Sequence, residues 1–316
     1  MKDLSKVASL RVDADSDQQR IDNFLMRCCK GVPRSHIYRI LRTGEVRVNS
    51  RRVDATYRVK DGDLVRLPPI RTAERPAGAP PPALELPILY EDASLLAVDK
   101  PSGIAVHGGS GISFGVIERL RASRPELSFL ELVHRLDRET SGVLLLAKKR
   151  PALTAMHAAL REGQTQKRYL VLIKGKWRDA KRTVSLPLHK YVNGAGERRV
   201  SVEAQGKESK TLFRKERMAG PCTLLSAELL TGRTHQIRVH LSHLGFPIAG
   251  DAKYGDFEWN RALARQGLKR MFLHAAQLSF QHPVLGTPLT LDSPLPEALS
   301  SFLERLDART ENDALL

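Results

Sequence analysis

Ile21, Phe24 and Leu25 recur at helical spacing, and Ile37, Ile40 and Leu41 repeat that spacing after Ser35, so the pattern predicts two short amphipathic helices. Gly44 ends the second. Val46, Val48 and Val53 then alternate with polar residues, Asp61-Gly62-Asp63 signals a turn, and residues 64–67 read as a short closing strand. Two helices thus feed a small sheet. Beyond residue 87 the strand signals lie at residues 95–98, 142–147, 169–173 and 223–230, with a hairpin around Asn193-Gly194 and a helix over residues 295–306. The fold class expected is α+β, with flanking helices on a mixed, mainly antiparallel sheet.

Between Pro68 and Pro87, prolines, alanines and a glycine replace any hydrophobic period, which marks a semi-rigid spacer. The expected division is a small unit over 1–68, a linker over 69–86, a larger unit over 87–308 and a tail over 309–316. The composition agrees with two folded domains: 316 residues are 41% hydrophobic and 27% charged. No apolar run approaches the roughly 20 residues that span a bilayer, and the first residues lack the apolar core of a secretory signal. A cytoplasmic protein without membrane contact is expected. Cys28, Cys29 and Cys222 have neither the number nor the spacing of a disulfide framework or zinc ribbon.

Charge narrows the partner. Lys and Arg number 51 against 35 Asp and Glu, a net +16, which favours a polyanion over a neutral metabolite. From residue 27 to residue 60 there are ten Lys or Arg and two acids, Glu45 and Asp54. Arg39 and Arg42 fall opposite the Ile37 and Leu41 stripe, Arg34 opens the same helix, and Arg47, Arg51 and Arg52 follow. Solvated faces usually mix signs, so phosphate contact is the better reading. The run RIDNFLMRCCKGVPRSHIYRILRTGEVRVNSRRV, closed by VKDGDLVRL, resembles the S4-like (alpha-L) RNA-binding domain across most of residues 18–68. That resemblance implies RNA binding through shape and phosphates rather than base edges.

In the larger unit the densest block is LVHRLDRETSGVLLLAKK, residues 132–149, where a polar loop is caught between apolar segments. Loops on rigid supports suit catalysis. Asp137, flanked by Arg135 and Arg138, reads as a carboxylate base or nucleophile, or as an ion-paired turn residue. Residues 230–240, LTGRTHQIRVH, place Arg233 at a strand-to-helix junction suited to pinning a carboxylate or phosphate. Thr234 is expected to cap a helix buried through Ile237, Leu241 and Leu244. His235, His240 and His243 lack metal-ligand spacing, and no metal site is expected. The strand start QKRYLVL carries Lys167 and Tyr169, where a tyrosine either packs or stacks on an exposed base.

Taken in order, LAVDKPSGIAVH, HRLDRETSG, QKRYL, TGRTHQIRVHL and LHAAQLSFQHP resemble the RluA-type family of pseudouridine synthases over residues 88–296. The S4-like front end and the run HGGSGISFGVIERLR bring the chain nearest the RluC branch, which acts on large-subunit ribosomal RNA. By that resemblance Asp137 is the catalytic aspartate, Arg233 its salt-bridge partner, and Tyr169 the residue that stacks on uracil and assists proton removal from C5. The resemblance implies large-subunit ribosomal RNA or its precursor as partner, held by Arg34, Arg39, Arg42, Arg47, Arg51, Arg52, Arg135 and Lys167. It implies no cofactor, and a monomer is expected. Attack at C1′ or C6 and abstraction of the C2′ proton stay open as the role of Asp137. A synthase for another ribosomal helix or tRNA, and an assembly factor without chemistry, are the alternatives.

Overall fold

The computed structural model describes residues 6–29, 31–70, 81–109, 113–194 and 196–313. Contacts divide the chain into two units, Met1–Pro82 and Ala83–Leu316. The division falls within the proline-rich stretch, of which residues 71–80 lie outside the described residues.

In the first unit, β1 (Ala8–Arg11) precedes two helices, α1 (Ile21–Cys28) and α2 (Arg34–Arg42). Three short strands follow, β2 (Arg47–Val48), β3 (Arg51–Arg52) and β4 (Leu64–Leu67). The sheet order is β1-β4-β2-β3. Ile21, Phe24, Leu25, Ile37, Ile40 and Leu41 all bury against Val46, Val48 and Val65. Val53 is not in a strand. Asn49 and Ser50 both take positive φ, at 48° and 68°, and so turn the chain within two residues, pairing Arg51 and Arg52 with β2 before the chain leaves the sheet.

The second unit opens with the antiparallel pair β5 (Ile88–Glu91) and β6 (Leu95–Lys100), then α3 (Val116–Ser123) and the short β7 (Glu131–Leu132). Next come β8 (Ser141–Ala147), α4 (Arg150–Arg161), β9 (Gln166–Lys174) and β10 (Lys181–Ser185). A separate ribbon, β11 (Leu188–Val192) with β12 (Arg198–Val202), turns at Asn193. The long hairpin β13 (Lys210–Ala219) and β14 (Cys222–Leu229) leads to α5 (Gln236–His243) and α6 (Phe257–Arg265). The described chain ends with β15 (Leu273–Gln281), β16 (Pro288–Asp292) and α7 (Glu297–Asp313). The helix therefore runs through residues 309–313, where the sequence predicts a tail, and residues 314–316 lie outside the described residues.

The main sheet has the order β10-β13-β14-β9-β15-β8-β6-β5, antiparallel throughout this path except for β15 with β8. β8 is buried along its whole length because both sheet faces are covered. Leu144 and Leu146 face one cluster with α3 and α5, through Ile117, Leu120, Ile237 and Leu241. Val143 and Leu145 face the opposite side against Ala152 and Met156 of α4. On that opposite side Leu172 packs on Phe302 and Leu303 of α7. Among the described residues no helix is long and apolar enough to cross a membrane.

Candidate active site

Asp137 lies in the loop between β7 and β8, and the surroundings fix that loop from two sides. Lys100, fully buried at the end of β6, donates from Nζ to the carbonyls of Pro101 (2.8 Å), Ile104 (2.8 Å) and Arg138 (3.1 Å). Burial pushes its amine down to about 8, so the ammonium with its three donors still prevails at neutral pH. Ser102 Oγ adds a bond to the Glu139 carbonyl at 2.7 Å. At the start of β8, Ser141 Oγ accepts from Arg270 Nη2 at 2.6 Å and meets His274 Nδ1 at 2.9 Å. Gly142 has φ +112°, and a Cβ there would sit 2.2 Å from the Ala275 carbonyl oxygen, so only glycine lets β8 and β15 approach at this point.

The Asp137 carboxylate, 25% exposed, opens onto a cavity of about 1320 Å³. Its ionic partner is Arg238, whose Nη1 donates to Oδ2 at 2.9 Å. The same guanidinium donates from Nε and Nη2 to Asp251, both at 2.8 Å, and lies over the Tyr254 ring at 5.1 Å. Asp251, 1% exposed, also accepts the backbone N–H of Lys253 (2.8 Å) and Tyr254 (3.1 Å). Burial works against the charged forms of Arg238 and Asp251. Their mutual hydrogen bonds and charge prevail, holding the guanidinium above its ordinary value and the Asp251 carboxyl below.

Arg233 does not reach Asp137. It is exposed on the cavity rim, and its Nε donates to the Glu208 carbonyl at 3.1 Å. The reason is local: the chain turns at His235 with φ +54°, and α5 starts one residue later. Gln236 stabilises this turn, accepting from Thr231 Oγ1 (2.8 Å) and the Arg233 N–H (3.0 Å) while donating to the Lys210 carbonyl (2.9 Å). Thr234 is therefore not the cap. The first helical turn carries Arg238 inward, where the periodicity predicts only apolar residues.

His235 completes the site. Tyr254 OH accepts the Val200 N–H at 3.0 Å and so directs its own hydrogen to His235 Nδ1 at 2.8 Å. Burial pushes His235 down to about 4, so the ring is neutral and its proton sits on Nε2, 3.8 Å from Asp137 Oδ2. Tyr169 on β9 is 7% exposed and borders the cavity, and its hydroxyl makes no hydrogen bond among the described residues. Burial, and then the charge of Asp137, hold the phenol well above its usual range. Lys167 shares the Tyr169 face of β9 and also borders the cavity, as does exposed Arg135. His240 is buried between Ser209 Oγ (2.8 Å) and Thr211 Oγ1 (3.1 Å), a satisfied core residue. No group of three His, Cys, Asp or Glu able to hold a metal occurs among the described residues.

In the first unit Arg34, Arg39, Arg42, Arg47, Arg51 and Arg52 are all exposed. Arg39 is engaged by Glu45 at 2.9 Å, and Arg52 donates to the Arg42 carbonyl. Arg47 lies directly opposite Arg52 on one side and Arg66 on the other, three arginines in register on the exposed face.

Residues 19–65 match the S4 domain, and residues 94–243 match RNA pseudouridylate synthase. The ribosomal large subunit pseudouridine synthase C of Escherichia coli (strain K12) is 53% identical over 308 residues, covering 95% of this chain and 97% of the relative. The protein of that name from Pasteurella multocida (strain Pm70) is 50% identical, covering 95% of this chain and 94% of the relative. Among solved structures, human RNA pseudouridylate synthase domain containing 1 aligns with a TM-score of 0.57 at 28% identity, over 69% of this chain and 87% of that one. With its S4 domain, its cavity-facing aspartate and relatives of this identity along nearly its whole length, the chain belongs to the RNA pseudouridine synthases.

Proposed function

We propose that this RNA pseudouridine synthase acts on uridines of large-subunit ribosomal RNA, with Asp137 as its catalytic carboxylate. The observation that carries the residue assignment is the chain Asp137, Arg238, Asp251. A largely buried guanidinium anchors itself on one enclosed carboxylate and aims the other at the cavity. The names of the two curated relatives support the substrate class.

Isomerisation breaks the bond from N1 to C1′, turns the base, joins C5 to C1′ and moves a proton, in net, from C5 to N1. The net change is neither a redox step nor a phosphoryl transfer, so this function requires no cofactor. Asp137 supplies the carboxylate, and Arg238 fixes its direction. The Tyr169 ring forms an apolar platform for the uracil. Because its phenol stays protonated at neutral pH, its resting role is stacking, and it accepts a C5 proton only as a phenolate. Neutral His235 offers an Nε2–H beside Asp137, a donor for a uracil carbonyl. To enter, the uridine leaves its stack at a cost of a few kcal/mol, which phosphate contacts offset.

Arg135, Lys167 and Arg233 stand round the cavity for that purpose. In the first unit the register of Arg52, Arg47 and Arg66 supports RNA contact by Arg34, Arg42, Arg47, Arg51 and Arg52. Like charges directly opposite one another weaken a sheet, so folding gives no reason for the row, whereas a phosphate backbone does. Asp137→Asn is expected to abolish pseudouridine formation while leaving RNA affinity within about tenfold, since it removes one rim charge and no positive one. Carbodiimide primer extension on ribosomal RNA from cells carrying only this variant reads the outcome. Undiminished modification overturns the assignment.

A further inference from the structure

A second cavity of about 480 Å³ adjoins the first. It opens where β14 and β15 end beside the starts of β9 and β16, and Leu160, Lys167, Leu230 and Gly232 border both cavities. Its volume suits one nucleotide. Apart from Lys167 and Glu228 the lining is uncharged, and it offers hydrogen bonds of both kinds. Gln164, Gln166 and Gln281 each bring an amide, and none of these amides is hydrogen-bonded among the described residues. Glu228, the acid on this wall, is already held by Arg214 at 2.8 Å. Leu230, 48% exposed, supplies an apolar face that folding leaves open.

Lys167 stands at the junction. It lies one strand period, about 7 Å, from Tyr169 on the same face of β9. Its Nζ passes over Gly232, where an added Cβ would meet it at 3.6 Å. The ammonium has no hydrogen bond or ion pair among the described residues, although burial pushes it down. A partly desolvated ammonium without an acceptor is a site for an anion.

We propose that the second cavity holds the nucleotide next to the target uridine, its base turned out of the stack, with Lys167 on the phosphate that joins the two. This rests on the assignment of the Asp137 cavity to the uridine and adds a second subsite to it. A paired neighbour cannot enter, so the enzyme selects RNA that is unpaired at two consecutive positions.

The test uses the full chain and the shortest large-subunit ribosomal transcript in which it forms one pseudouridine. Each neighbour of the target is replaced in turn by an abasic ribose. At one flank this lowers kcat/KM about tenfold, the loss of one stacked and hydrogen-bonded base. The variant Gln166→Ala/Gln281→Ala, changed only at exposed positions, loses about as much on intact RNA and nothing more on the abasic RNA. Likewise, an uncharged methylphosphonate at the joining phosphate slows wild type but adds nothing to the loss in Lys167→Gln. An abasic replacement without effect at either flank, or penalties that multiply fully with the variants, overturns the subsite. Undiminished modification by Asp137→Asn overturns the assignment of the first cavity to the uridine, and the subsite falls with it.

Discussion

Arg238→Lys separates two jobs that one guanidinium performs. The native side chain, 7% exposed, makes three charged contacts, two to Asp251 and one to Asp137. Lysine keeps the charge but is a point donor that cannot span both carboxylates with that geometry. Asp251 at 1% exposure outbids Asp137 at 25%, because an unpaired charge costs more where water cannot reach it. The Asp137 carboxylate therefore loses its orienting bond. A hydrogen bond between charged groups contributes about 1.5 to 3 kcal/mol, so the single-turnover rate of pseudouridine formation falls roughly 10- to 100-fold. Exchanging the bidentate contact for one bond lowers the melting temperature by roughly 5 to 10 °C. Arg238→Met, which leaves Asp251 buried without any cation, costs about 3 to 5 kcal/mol. Arg233→Met is the comparator: an exposed residue with one contact to a carbonyl, it changes stability by about 0.5 kcal/mol or less and weakens RNA binding alone. Thermal melts together with single-turnover assays on one transcript decide the matter. Wild-type turnover in Arg238→Lys with loss in Arg233→Met refutes the reasoning.

Gly142→Ala forces a Cβ to within 2.2 Å of the Ala275 carbonyl at a positive φ, and a loss of about 3 kcal/mol or more is expected in urea unfolding; a midpoint equal to wild type contradicts it. His134, His235 and His240 are each pushed by burial from 6.5 to about 4, so below about pH 6.5 the unfolded chain takes up protons that the folded chain refuses. Stability is complete above that pH and declines toward pH 4, by up to about 1.4 kcal/mol per unit for each histidine; urea midpoints at pH 7.5, 6 and 5 should fall in that order, and a flat series rules it out. Removing residues 1–82 should weaken binding to ribosomal RNA and flatten its salt dependence, since the arginine row of β2, β3 and β4 goes with them; equal affinity and slope in filter binding counts against that role.

Much of this was legible in the chain because periodicity reports burial. Ile21, Phe24, Ile37 and Ile40 mark the faces of α1 and α2 that pack, and the apolar run after Gly142 marks a strand covered on both sides. Asp137 stood out as a polar residue trapped between apolar segments. Arg238 did not, because it sits among Ile237, Val239 and Leu241 on a helix whose expected start was displaced by the left-handed turn at His235. Its partner Asp251 lies in a loop with no period to betray it. The junction role of Lys167 depends on two cavities meeting across Gly232, which no local pattern encodes.

The position of β15 bears on when the enzyme becomes active. Strands β5, β6, β7 and β8 form one block that carries Asp137, while β9, β10, β13 and β14 form another that carries Tyr169 and leads into α5 with Arg238. In the sheet these blocks are joined through β15, which pairs with β9 along most of its length and with β8 through His274 and Ala275. Such distant pairings form slowly, and β15 comes late in the chain. Until this strand is added, the block of Asp137 and the block leading to Arg238 share no backbone pairing within the sheet among the described residues. The order of strands along the chain thus places the pairing that joins the two blocks among the last to form.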